Sequence, residues 1–121
     1  MEEENTLSPQ KPPFKERRKH RRVETTVQVA VLAEDIEEVF VESRNMSLGG
    51  VLLRTENPLD NGMKVLLRFY FPDYRGPMEV EGRVVSNRGM HGVAIEFTGI
   101  DPETENIMKK YLLSEEKQQG L

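Results

Sequence analysis

The sequence predicts a mainly β domain of six short antiparallel strands, arranged as a barrel or a sandwich and followed by one α-helix. Three observations support this fold class. Hydrophobic and polar residues alternate with a period of two in six segments, which is typical of half-buried strands. The segments recur at roughly ten-residue spacing, with turn-forming residues between them. A helical repeat of hydrophobic residues occurs near the C-terminus.

Length and composition limit the class of protein. The 121 residues suit one domain with a single core, and 36% hydrophobic against 31% charged residues fits a small globular unit with flexible ends. Cysteine is absent, so the sequence allows neither disulfides nor a thiolate metal site. It contains neither an apolar run long enough to span a membrane nor an apolar signal segment at the start. We therefore expect a cytoplasmic protein.

The N-terminal region has two parts. Residues 1–15 are rich in acids, amides and prolines, and we expect them to form a flexible tail. The stretch "KERRKHRR" at 15–22 then gathers six basic residues, although the whole chain has a formal net charge of −4. We treat residues 16–22 as a basic arm that belongs to a folded unit covering 16–114.

The first two predicted strands span residues 23–33 and 37–43, and the acidic "AEDIE" at 33–37 is interpreted as the hairpin loop between them. One face of the first strand carries five residues that we expect to point inward: Val23, Thr25, Val27, Val29 and Val31. The second alternates Val39 and Val41 with Phe40 and Glu42.

Four further strands are predicted at 49–55, 64–71, 78–85 and 91–97. The segments between them, "ENPLDNG", "PDYRGP" and "NRGMHG", are rich in turn-forming residues. Each strand again places hydrophobic side chains on one face, as Val65, Leu67 and Phe69 do in the fourth strand.

The predicted helix covers about 102–114. Asp101 can cap its start and Pro102 suits its first turn. Four hydrophobic residues then recur on one side: Ile107, Met108, Tyr111 and Leu112. We expect this amphipathic helix to lie against an end or flank of the barrel, and residues 115–121 to fray after it.

Candidate residues for catalysis or metal binding are few. His20 and His91 are separated by most of the domain, and neither lies in a cluster with ligand spacing. The acidic run at 34–38 and the pair Glu79 and Glu81 are typical of solvated surface. The turn "SLGG" lacks the lysine of a phosphate-binding loop, and there is no Gly-x-Ser-x-Gly motif. We therefore expect that the protein is not an enzyme and that it binds neither a metal ion nor a cofactor.

The basic stretch alone allows three interpretations. It is a solubilising patch, a contact for nucleic-acid phosphates, or part of a pocket for a small anionic ligand. Arginine outnumbers lysine four to two in this stretch, and arginine pairs bidentately with phosphate or with O6 and N7 of guanine. Composition does not decide among the three.

Two short motifs in order favour the anionic ligand. Arg18 and Arg22 form R-x-x-x-R, directly followed by Val23. Residues 44–50, "RNMSLGG", contain the spacing [D/N]-x-S-x-x-G. With the strand pattern and the terminal helix, these motifs resemble the PilZ domain, a bacterial receptor module for cyclic dimeric GMP (c-di-GMP), from about Glu16 to about Leu113. The resemblance implies a six-stranded antiparallel β-barrel with a flexible N-terminal arm.

The resemblance also implies a role for each motif residue. Arg18 and Arg22 would donate to phosphate oxygens and to the guanine O6/N7 edge, and Arg17 would stack on a base or pair with phosphate. Asn45, where many members have Asp, would accept from the exocyclic amine of guanine.

Further ligand-binding residues are implied. Ser47 would bond the ligand through its hydroxyl group, and Gly49 and Gly50 would let the backbone turn and approach closely. Arg88, in the loop before the last strand, is a further candidate for lining the site.

The implied function is an adaptor that binds c-di-GMP, reorients residues 1–22 and is recognised by an unidentified effector protein. Two alternatives remain: a nucleic-acid-binding module that uses the basic arm, and a PilZ-like interaction protein that binds no nucleotide. Nucleic-acid binding should fall steeply with salt and depend little on Ser47, whereas a guanine-reading pocket should depend on Asn45 and Ser47.

Overall fold

The structure is a computed structural model that describes residues 21–55 and 59–119. The predicted tail at 1–15 and the arm up to residue 20, including Arg17 and Arg18, lie outside the described residues. Seven strands form within the described part of the chain: β1 Val23–Glu24, β2 Gln28–Ala33, β3 Ile36–Met46, β4 Gly50–Arg54, β5 Lys64–Tyr70, β6 Met78–Asn87 and β7 Val93–Gly99.

Six of these strands close into an antiparallel barrel. Neighbouring strands follow the order β3, β2, β5, β6, β7 and β4, and β4 pairs with β3 to complete the ring. The short β1 pairs with the last residues of β3, where Val23 lies opposite Met46. The mainly β prediction is confirmed, and of the two arrangements that alternation allowed, the closed barrel is the one observed.

The predicted first strand is interrupted, because a buried hydroxyl group replaces part of the strand ladder. The Oγ atom of Ser43 accepts the Val27 N–H at 2.9 Å and lies 2.6 Å from the Thr25 Oγ atom. The chain therefore leaves regular pairing between β1 and β2 while both strands stay against β3. All five residues predicted to point inward from this segment are buried.

The hairpin between β2 and β3 is tighter than predicted. Only Glu34 and Asp35 form the turn, with Asp35 at a φ of 65°, and Ile36 already belongs to β3. A two-residue hairpin turn requires left-handed backbone, which Asp tolerates better than most residues. At its other end β3 continues through Asn45 and Met46, at the start of the second motif, where it pairs with β1 and β4.

Helix α1 (Pro102–Gln118) begins as predicted but ends later. Asp101 Oδ1 accepts the Thr104 N–H at 2.8 Å, and Met108 and Leu112 are buried against the barrel core. The predicted end near residue 114 is wrong, because contacts with the start of the barrel support another turn. Gln119 Nε2 donates to the Glu24 carbonyl at 2.8 Å, directly after the helix.

Candidate functional site

The turn between β3 and β4 is held by hydrogen bonds to itself and to β7. The Ser47 N–H donates to the Gly50 carbonyl at 2.9 Å, and the Phe97 N–H donates to the Gly49 carbonyl at 2.9 Å. The backbone of the motif N-x-S-x-x-G is therefore fixed by the barrel itself. Such a preformed turn can present polar groups to a ligand without first becoming ordered.

Gly50 lies where β4 begins to pair with β7. It pairs with Glu96, and a Cβ atom added to Gly50 would collide with the Ile95 carbonyl oxygen. That oxygen belongs to the backbone of a paired strand and cannot rotate away. The last position of the motif therefore requires glycine for packing, whatever ligand the turn binds.

Ser47 is buried, and its hydroxyl oxygen accepts the Gly49 N–H at 3.1 Å. This bond stabilises the turn and fixes the direction of the side chain. A hydroxyl group that accepts one bond can still donate its proton to another acceptor. Ser47 can thus stabilise the turn and hydrogen-bond an anionic ligand at the same time.

Arg22 and Asn45 are brought together although 23 residues separate them. The Arg22 Nη1 group donates to the Asn45 Oδ1 atom at 3.3 Å. One arginine of the R-x-x-x-R motif therefore lies beside the first residue of the second motif. The Asn45 oxygen, predicted to accept from a guanine amine, already accepts from Arg22, but an amide oxygen has capacity for two donors.

Arg21 extends from the arm in another direction and pairs with helix α1. Its Nη1 group lies 3.1 Å from the Glu116 carboxylate. Beside this pair is a cleft of about 300 Å³ whose floor is largely apolar; its lining includes Val23, Leu48 and Lys109. The cleft connects the arm, the motif turn and α1.

Sequence reasoning missed Arg21, Glu116 and Lys109 as neighbours of the site. Their proximity follows from how α1 packs on the barrel, and no local motif records that packing. The only sequence signal was the density of arginine at 15–22.

Arg88 lies away from the motif turn. It precedes a short 3-10 helix (Gly89–His91) that leads into β7. β7 runs antiparallel to β4, with Val93 opposite Leu53 and Glu96 opposite Gly50. The loop with Arg88 is therefore at the other end of β4 from Gly49 and Gly50.

Within the described ranges, no group of three or more His, Cys, Asp or Glu side chains could hold a metal ion. No helix in the same part of the chain is long and apolar enough to cross a bilayer.

Comparison with known proteins identifies the fold family. The family model of the PilZ domain matches residues 16–114. No curated protein matches the chain.

Solved structures share the fold at low sequence identity. The chain is similar to the PilZ domain with c-di-GMP of YcgR from Escherichia coli, with a TM-score of 0.67, 18% identity, and coverage of 85% of this chain and 94% of that one. For the inhibitor of motility MotI/DgrA from Bacillus subtilis the TM-score is 0.70 and the identity 19%, over 84% of this chain and 52% of that one.

A third similar structure is the PlzA protein of Borreliella burgdorferi in complex with c-di-GMP, with a TM-score of 0.63 and 15% identity, over 83% of this chain and 43% of that one. This chain thus spans about half of the MotI/DgrA structure and less than half of PlzA. Because the family model covers most of the described barrel and helix, the chain belongs to the PilZ domain family.

Proposed function

We propose that this protein is a receptor for c-di-GMP whose ligand lies against the turn between β3 and β4, beneath the basic arm. The observation that carries the proposal is the hydrogen bond from Arg22 to Asn45, because it joins the arm to the second motif. The presence of c-di-GMP in the similar YcgR and PlzA structures supports the choice of ligand.

The proposed contacts follow from the chemistry of the ligand, which carries two phosphates and two guanines. Arg18 and Arg22 donate to phosphate oxygens and to a guanine O6/N7 edge, and Arg17 pairs with phosphate or stacks on a base. Asn45 accepts from a guanine amine, and Ser47 donates its hydroxyl proton. Gly49 and Gly50 leave the turn without Cβ atoms, so the ligand can approach the backbone.

We further propose that binding acts on an effector protein rather than catalysing a reaction. In the structure Arg21 and Arg22 extend to different partners, α1 and β3. A ligand that recruits Arg22 and the arginines before it changes the path of the arm beside α1. An effector that recognises this surface would then distinguish the bound from the free state.

Calorimetric titration of the full chain with c-di-GMP tests the ligand. We expect saturable binding, with Arg22→Ala weakening it about ten- to hundredfold, as for loss of a good guanine contact, and with Ser47→Ala weakening it as well. Arg88→Ala is the control for position, and we expect it to change affinity little. Cyclic dimeric AMP should bind more weakly, because adenine carries an amino group in place of the O6 acceptor and lacks the 2-amino group that we propose faces Asn45.

Titration with single-stranded and duplex DNA tests the nucleic-acid alternative. Affinity for phosphate backbones falls steeply with salt, because binding releases counterions. DNA binding with such a salt slope, unchanged by Ser47→Ala and without any c-di-GMP response, would contradict the proposal. A folded protein that responds to neither ligand would support the PilZ-like interaction protein that binds no nucleotide.

A further inference from the structure

The outer face of the barrel over β2, β3 and β5 carries two exposed aromatic rings. Phe40 is 62% exposed, the largest value among the large hydrophobic residues in the described part of the chain. Tyr70 is 37% exposed, and the centroids of the two rings lie 6.4 Å apart. Burying apolar surface is favourable, so a binding partner that covered these two rings would gain free energy by removing them from water.

The strand register holds these rings in place. Ala30 of β2 lies opposite Phe40 on one side and opposite Arg68 on the other. Ala30 faces outward between the core residues Val29 and Val31, yet it is fully buried. The larger side chains around Ala30 therefore cover it. The neighbouring rings of Phe40 and Tyr70 form one aromatic surface, which we call the platform.

Carboxylates predominate around the platform. Arg68 pairs with Glu79 at 2.9 Å and lies 3.9 Å from Glu38, so its charge is already neutralised within the sheet. Glu42 adds a third carboxylate, which accepts a hydrogen bond from Gln28 at 3.4 Å and lies opposite Arg54 of β4. Three carboxylates against two arginines leave this face with a small excess of negative charge.

This charge selects among possible occupants. Nucleic acids and anionic membranes are repelled by the carboxylates, and a second copy that presented the same face would add like charge to like. Lysine and arginine side chains would pair with the carboxylates and stack over the rings. An apolar side chain in the same partner would cover Phe40.

We infer that this face, defined by Phe40, Tyr70, Glu38, Glu42 and Glu79, is the docking site for a partner protein whose contact surface is basic and presents an apolar or aromatic side chain. Phe40 is the anchor, and the carboxylates set orientation and association rate. Phe40 lies five residues before Asn45 on β3, roughly 16 Å at about 3.3 Å per residue, so the face is separate from the proposed ligand site. The inference does not depend on c-di-GMP binding.

Amide NMR spectra of the full chain, titrated with a synthetic peptide of alternating arginine, lysine and phenylalanine, test this inference. We expect shift changes centred on the outer residues of β2, β3 and β5. Phe40→Ser should weaken binding about tenfold or more, as for the loss of an interface anchor. Val85→Ser is the matched control, because Val85 is also an exposed apolar strand residue, at 48%, and should leave the affinity unchanged.

Charge is tested separately from the aromatic anchor. Glu42→Gln, which keeps the shape of the side chain, should weaken the peptide and reduce the salt dependence of its binding. A peptide with glutamate in place of the basic residues should not bind.

The inference is overturned if the peptide leaves these amides unshifted, if it shifts another face, or if Phe40→Ser binds as well as the Val85→Ser control. Shifts of the same amides that grow with protein concentration in the absence of peptide would also overturn it, because the occupant would then be a second copy.

Discussion

Ser47 and Gly50 each serve the fold as well as the proposed ligand site. The Ser47 hydroxyl group accepts the Gly49 N–H, and Gly50 lets β4 pair with β7 without a collision. Arg22 and Asn45 differ, because both are at least partly exposed and their contact is a single hydrogen bond. Substitutions at Ser47 and Gly50 therefore affect folding and binding together, whereas Arg22 and Asn45 report on binding more directly.

Gly50→Ala should lower the free energy of unfolding by about 1–3 kcal/mol, as overpacking of a rigid contact does. The added Cβ atom meets backbone of β7, which must shift to make room. Gly99→Ala is the control, because the atom a Cβ would meet there, at 2.6 Å, is the carboxylate oxygen of the flexible Glu81 side chain. Urea denaturation measures both, and equal losses would contradict this explanation.

Helix α1 brings the end of the described chain into contact with its beginning. It begins at the Asp101 cap, packs Tyr111 against Phe71 at a ring distance of 5.1 Å, and ends beside Glu24 and Arg21. The Arg21–Glu116 pair is exposed on the arginine side, so we expect it to contribute little to stability, at most about 1 kcal/mol. Its significance is positional, because it places Arg21 beside the last turn of α1.

Asp101→Ala should lower the melting temperature, because it removes the acceptor for the Thr104 N–H and hydroxyl groups. Asp101→Asn should retain most of the stability, since asparagine caps almost as well.

The Thr104 backbone hydrogen bond lowers the pKa of Asp101 below its ordinary value of 3.8. The part of the stability that depends on its charge is present above that value and is lost as the pH falls through the lowered pKa. Thermal melts of the three proteins at neutral and acidic pH measure this; an alanine variant as stable as the asparagine variant would refute the cap.

Because of Tyr111, we expect the free energy of unfolding to fall in alkaline solution. Burial, aided by the negative charge of Glu115, raises the pKa of Tyr111 from 10.0 to about 12. Below pH 10 the phenol is neutral in both the folded and unfolded states. Between pH 10 and about 12 the unfolded state ionises first, so the stability contributed by the neutral phenol is lost as the pH rises. Urea denaturation across this range should show a shallower decline for Tyr111→Phe than for the wild type, and parallel declines would contradict the shifted pKa.

On the scale of the whole molecule, alternation in the sequence predicted which side chains face the core, because strand side chains must alternate. It did not distinguish a barrel from a sandwich, since closure depends on the pairing of β3 with β4 and not on any one strand. The break between β1 and β2 was missed because it depends on a hydroxyl group of Ser43 in the neighbouring strand. The extra turn of α1 was missed for a similar reason, because its partners, Glu24 and Arg21, lie at the start of the barrel.

The candidate site was predicted only as two motifs. Spacing identified Asn45, Ser47 and Gly50, but the approach of Arg22 to Asn45 is a tertiary contact across 23 residues. Spacing also gave no information on the distance from the turn to Arg88, which the antiparallel register of β4 and β7 determines. The roles predicted for Arg17 and Arg18 stay predictions. For Arg88 the register favours a position away from the ligand, and the Arg88→Ala titration tests this.

The central claim is that the arm and the motif turn act on one ligand. The most direct test is a double-mutant cycle for c-di-GMP affinity with Arg22→Ala, Asn45→Ala and the double variant, measured by calorimetry. We predict that each single substitution weakens binding and that the double loss differs from the sum by at least about 0.5 kcal/mol, because adjacent groups on one ligand are coupled. Additive losses, or affinities equal to that of the wild type, would contradict the account.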